Sequence, residues 1–162
     1  MSDAPPTLII GLGNPILTDD AIGWRVVQAL REFLDNESDS LSAVSVEITE
    51  ACVGGLSLAE MMVGYRRAVV IDAIMTRGGV PGTVYHFGLS DLPGTLNTAS
   101  SHDTNLVTAL AALRRCEAIV PSDHAIDIVA VEAQDVLTFS ESCTPAVEAS
   151  IPAAVKAVLQ LF

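Results

Sequence analysis

The sequence predicts an α/β fold, a sheet of five strands covered by helices on both faces. Three observations predict it. Apolar strand patterns and helical patterns follow one another in the order β-α-β-α-β-β-α-β-α, the alternation that lays helices against a sheet. The segment "RAVVIDAI", residues 67–74, is apolar on both of its faces, as a strand deep inside a parallel sheet must be. Only the link from that segment to "PGTVYHFG" is too short to hold a helix, so this strand is expected to be antiparallel and the rest parallel.

The elements follow in order. "TLIIGLG", residues 7–13, is a buried strand ending in a glycine turn. Residues 19–35 form a helix in which Ile22, Val26, Ala29, Leu30 and Phe33 share one face, with Thr18 or Asp19 as its cap. If Asp19 only caps, Asp19→Asn is well tolerated, because either residue serves there. "AVSVEIT" alternates, with Val44, Val46 and Ile48 on one side. "GGLSLAEMMVGY" is a short helix with Leu56, Met61 and Met62 inward, and "DTNLVTALAALRRC" a helix with Leu106, Leu110 and Leu113 in register. "AIDIVAVEA" is the last strand. In the final helical stretch Pro145 suits a helix start, whereas Pro152 is placed to split or kink it.

The 162 residues are expected to form one domain, 1–162, with a real core. Half are hydrophobic and 17% charged, which excludes disorder. Apolar runs stop well short of a membrane span, and "MSDAPPTLII" has neither the basic nor the apolar region of a signal peptide. Cys52, Cys116 and Cys143 lie far apart with no CxxC pair, which suits reduced thiols in the cytoplasm, packed as free cysteines usually are. Cys143 in "SESCTP" is also a candidate nucleophile, though no base neighbours it in sequence. The net charge of −12 argues against nucleic-acid binding, which needs a basic surface, and leaves solubility or a basic partner segment as its meaning.

Ligands of open α/β sheets bind beyond the carboxyl ends of the strands. Asn14, Asp19 and Asp20 follow the first strand, Asp72 ends "AVVID", His102 stands in "ASSHDTNL" before a helix, and Glu132 ends the last strand. Each has an ordinary structural explanation. Asp19 caps a helix, Asp20 suits a helix dipole, His102 precedes a helix capped by Asp103, and Glu132 caps backbone amides. Asp72, following four apolar residues, is at least partly desolvated and needs a partner. His86 and His124 read as surface residues. Taken together, two carboxylates and an imidazole suit a borderline divalent metal at about 2.0–2.2 Å, with positions left open for water or a substrate group.

These residues carry a resemblance. "GLGNPILTDDAIG", "VVIDAI", "SSHDTNL" and "LTFSESCTPAVEASIPAAV" together resemble the hydrogenase maturation proteases, and the likeness runs along essentially the whole chain. It implies a three-layer α/β/α sandwich with a mixed five-stranded sheet and one antiparallel strand. It also implies an aspartyl-type endopeptidase that trims the C-terminal tail of a nickel–iron hydrogenase large-subunit precursor once nickel is in place. Asp20, Asp72 and His102 would be both the metal-binding and the catalytic residues; many members have Glu where Asp20 stands. No cofactor would be stably bound. The nickel belongs to the precursor, with zinc or cadmium able to occupy the site in crystals. The protein would be a cytoplasmic monomer that neither enters membranes nor binds nucleic acid. "LIIGLGNP" also resembles the opening of bacterial peptidyl-tRNA hydrolases, but Trp24 stands where they need a histidine. A metal-sensing chaperone that holds the precursor without cutting it is the alternative from another class.

Overall fold

A computed structural model describes residues 6–36, 45–91 and 106–162. Its five strands are β1 (Thr7–Leu12), β2 (Val46–Ala51), β3 (Arg67–Ile74), β4 (Val84–Gly88) and β5 (Ile126–Glu132). The helices are α1 (Ile22–Asn36), α2 (Gly55–Met61), α3 (Leu106–Arg115), α4 (Pro145–Glu148) and α5 (Ile151–Leu159). The strand order is β2-β1-β3-β5-β4. β1, β2, β3 and β5 are parallel, while β4 runs antiparallel along the outer edge of β5. The short link after β3 therefore gives the antiparallel strand that was expected.

Alternation along the strands divides the interior into two cores. On one face Leu8, Ile10 and Leu12 of β1, Val70 of β3 and Ile128 of β5 meet Leu58 and Met62, with Leu106 and Leu110 of α3. On the other, Ile9, Val69, Ile71, Val129 and Val131 meet Ile22, Val26 and Leu30 of α1 and Val155 and Val158 of α5. Opposite faces of one pleated strand thus feed opposite helix layers, and the three-layer sandwich follows. β3 is central, and its six inner residues are all buried.

Several element-level expectations are corrected. The helix expected from residue 19 begins at Ile22, preceded by a 3-10 turn at Thr18–Ala21 in which neither Thr18 nor Asp19 makes a capping bond. Leu56 is 51% exposed, so α2 turns Leu58 inward instead. Phe33, on the expected core face of α1, is 38% exposed, and Leu34 packs against the α1/α5 core instead. The last helix is split, as Pro152 suggested: α4 and α5 meet at Ala149–Ser150, each with a proline in its first two positions, where a missing amide costs nothing. Among the described residues, no helix is long and apolar enough to cross a membrane.

Candidate functional site

The parallel strands β1, β2, β3 and β5 end together, and this carboxyl edge carries the candidate residues. β1 delivers its chain through two glycines with different reasons. Gly13 has φ +131°, and a Cβ there would overlap the Asp20 carbonyl. Gly11 lies under Gly23, where added Cβ atoms would overlap backbone carbonyls on the facing segment. Bare backbone at these positions lets the start of α1 settle directly onto β1 and the Ile71 carbonyl of β3. A glycine turn that resembles a phosphate loop serves here to bring acids close to the strand tips.

The two adjacent acids have opposite fates. Asp20 is partly exposed, and its Oδ2 accepts from the Asn14 amide at 2.8 Å, which folds the carboxylate back over the tip of β1. Asp19 is completely buried. Its Oδ1 accepts from the Thr144 amide at 2.6 Å, and its Oδ2 from the amides of Gln134 and Asp135 at 2.9 and 3.0 Å and from the Thr144 hydroxyl at 2.9 Å. Asp19 is therefore no helix cap. It anchors the segment after β5 to the turn after β1, and the expectation that Asn would serve equally well falls with the cap.

Asp72 lies on β3 next to Ile71, which pairs with Gly11 of β1. Neighbouring strands are about 4.8 Å apart, so Asp72 stands beside the tip of the strand that leads to Asp20. The residues around it alternate, Val70 into the α2/α3 core and Ile71 and Ala73 into the α1/α5 core, which places Asp72 on the α2/α3 face. It is 2% exposed and accepts from the Ala73 amide at 2.8 Å. The desolvation expected of it is present and nearly complete.

His102 lies outside the described residues, as does Asp103. The helix that follows, α3, is described from Leu106 onward. Arg114, near the end of α3, donates to the Pro121 carbonyl and to Asp123 just ahead of β5. That end of α3 is at the amino edge, and ten helical residues span about 15 Å. Leu106, four residues after His102, is thus at the carboxyl edge. Among the described residues no group of three His, Cys, Asp or Glu side chains is placed to hold a metal.

Glu132, at the tip of β5, is 2% exposed. It accepts from the Thr76 amide at 2.6 Å and the Thr76 hydroxyl at 2.8 Å, fastening the loop between β3 and β4. Gly79 belongs to this clamp, since a Cβ there would overlap the Glu132 carboxylate. The sequence had suggested amide capping for Glu132. It carried no local sign of Asp19 as an anchor, because the donors lie 115 to 125 residues away.

The cysteines divide. Cys143 is buried, with its Sγ 3.5 Å from the Thr18 carbonyl. Burial first, then the nearby Glu148 and Asp19 carboxylates, pushes its thiol up to about 11, the opposite of an activated nucleophile. Cys52 and Cys116 are exposed, which corrects the expectation that all three are packed. Trp24, the residue that argued against a peptidyl-tRNA hydrolase, donates its indole N–H to the Ala51 carbonyl at 3.1 Å and ties α1 to β2.

An open mixed sheet with carboxylates at its carboxyl edge places this chain among the α/β proteins, a class that binds ligands beyond the strand tips. The family model for hydrogenase maturation proteases matches residues 24–161, and the chain belongs to that family. The Hydrogenase 2 maturation protease of Escherichia coli (strain K12) is 33% identical over 108 residues, which are 66% of this chain and 62% of that protein. The aligned stretch thus spans about three fifths of that relative's length. The structure of the hydrogenase maturating endopeptidase HybD from E. coli superposes with a TM-score of 0.73 at 31% identity, covering 96% of this chain and 91% of that one. The [NiFe] hydrogenase maturation protease HybD from Thermococcus kodakarensis, at 24% identity and a TM-score of 0.70 over 96% and 98% of the two chains, shares the fold.

Proposed function

We propose that this protein is an endopeptidase that removes the C-terminal extension of a nickel–iron hydrogenase large-subunit precursor after nickel insertion. In this reading Asp20, Asp72 and His102 recognise nickel already held by the substrate. The observation that supports it is that Asp20 follows β1 and Asp72 lies near the end of the adjacent parallel strand β3, in a chain of the maturation protease family.

The chemistry rests on placement. Two carboxylates and a neutral imidazole form a donor set for a borderline divalent ion. With the substrate's metal gripped, the adjacent peptide bond is held at one position over the strand tips, and the entropy cost of bringing it there is already met. Asp72, enclosed and tied to the Ala73 amide, contributes a fixed oxygen. Asp20, partly exposed, contributes the more accessible one. The raised and buried thiol of Cys143 takes no part. The protein acts in the cytoplasm as a monomer, and it holds a divalent ion only weakly when isolated.

Co-expression with the precursor followed by intact mass measurement tests this. The wild-type protein should release a tail peptide and shorten the large subunit, while His102→Ala and Asp72→Asn should leave it at full length. Capture of the precursor without any loss of mass would make the protein a metal-sensing chaperone instead. Full trimming by His102→Ala would remove the proposed site.

A further inference from the structure

The turn that carries Asp20 begins with an unusual residue. Thr18 has φ +36°, in the left-handed region that β-branched side chains avoid. Backbone strain of this kind persists only where surrounding contacts over-determine it, and it gathers at functional sites. Glycine would occupy the position without strain, so a requirement for the turn alone does not account for threonine.

The contacts that hold Thr18 come from one segment, residues 135–143. The Thr18 amide donates to the Ser140 carbonyl at 3.1 Å, and its hydroxyl donates to the Thr138 carbonyl. Its own carbonyl faces the Cys143 thiol at 3.5 Å. One residue on, the Asp19 amide donates to the Asp135 carbonyl at 2.9 Å. The Asp19 carboxylate then takes the four donors of Gln134, Asp135 and Thr144. The segment is itself set, because Asp135 Oδ1 accepts from the Leu137 and Thr138 amides at 2.9 and 3.0 Å. On the far side of the turn, the Asp20 amide donates to Leu17 and its carboxylate takes the Asn14 amide, both at 2.8 Å.

We propose that Thr18 is a positioning residue for Asp20. Its left-handed backbone, locked through its hydroxyl onto the 135–143 segment, fixes the turn so that Asp20 remains over the strand tips, while Asp19 is held by its own four donors. A relaxed residue at position 18 leaves the Asp19 anchor in place but lets the Asp20 carboxylate swing. This rests on the reading of Asp20 as a metal-recognising group.

The test compares Thr18→Gly, Thr18→Ser and Asp20→Ala in cleavage of nickel-loaded precursor, in titration with zinc alone, and in thermal melting. Thr18→Gly is expected to melt close to wild type, since relief of strain offsets the lost hydroxyl bond. Its kcat should fall at least about tenfold, because small misplacements of a reacting group are costly, and it should bind zinc more weakly. Thr18→Ser, which keeps the hydroxyl, should recover most of the rate. Wild-type kcat and zinc affinity in Thr18→Gly, with Asp20→Ala inactive, would overturn the positioning role alone. A fully active Asp20→Ala would overturn the reading of Asp20, and the positioning role with it. A rate loss in Thr18→Gly that only tracks the unfolded fraction would assign Thr18 to stability and also overturn the proposal.

Discussion

At the amino edge of the sheet, acids meet basic side chains. Asp127 of β5 lies 3.1 Å from Arg67 and 2.8 Å from His86, and Asp123 lies 2.8 Å from Arg114, all of them partly exposed. At the carboxyl edge, Asp19 and Glu132 are buried and are held by backbone amides and threonine hydroxyls. Among the described residues no cation pairs with either. Ion pairing cancels charge locally, whereas hydrogen bonding to an ionised carboxylate holds the charge in place. The acids of the two edges therefore differ in how they are held: Asp123 and Asp127 by basic side chains, Asp19 and Glu132 by neutral donors near the strand tips that lead to Asp20 and Asp72. The overall charge of −12 favours the approach of a cation. Such an edge suits a site that receives a cation carried by something else.

The sharpest way to break this contrast is at Asp19. Each of its oxygens faces at least one amide donor, so in Asp19→Asn the new NH2 group must oppose an N–H whichever way it turns. The expected loss is about 3 kcal/mol of folding stability, read from urea unfolding. A loss below about 1 kcal/mol would return Asp19 to the role of an ordinary cap. Gly79→Ala probes the other clamp, since its Cβ would overlap the Glu132 carboxylate. It should cost about 1–3 kcal/mol by overpacking, and Glu132→Ala in the same chain should relieve part of that cost if the two positions share one contact. At the amino edge, Asp127→Asn removes two partly exposed pairs and should cost no more than about 1 kcal/mol. A larger loss there would erase the distinction between the edges.

The smallest effect concerns the thiols. At pH 8 a thiol reagent should modify Cys52 and Cys116 quickly and Cys143 only after unfolding. The Cys143 thiol is raised to about 11 from an ordinary value of 9.0. A raised thiol contributes stability that is fully present below the unfolded value and is lost as pH rises through the folded one. The contribution of Cys143 should therefore disappear between about pH 9 and 11. Cys143→Ala should flatten that part of the pH–stability curve, and an unchanged curve would contradict the shift.

What could be read from the sequence followed how local each signal was. β3 matched its expected residues 67–74 because burial on both faces leaves an uninterrupted apolar run. The antiparallel strand followed from the length of one link, and the helix break from Pro152. Asp20 and Asp72 were placed at the edge by strand ends alone. Asp19 was misread because an aspartate ahead of an apolar helical pattern resembles a cap. Its partners Gln134, Asp135 and Thr144 meet it only through tertiary structure. The left-handed backbone of Thr18 was likewise invisible, since nothing about a threonine before two aspartates announces φ +36°. Leu56, Cys52 and Cys116 were assigned to the interior on residue type, which sets a preference for burial but not the direction in which a short helix or loop faces.

If the carboxyl edge reads a metal belonging to the substrate, cleavage depends on the nickel state of the precursor. The direct measurement incubates the purified protein with nickel-loaded and nickel-free large-subunit precursor and follows tail release by mass spectrometry. Cleavage of the loaded precursor only is expected, with His102→Ala inactive on both. Efficient trimming of the nickel-free precursor would contradict it.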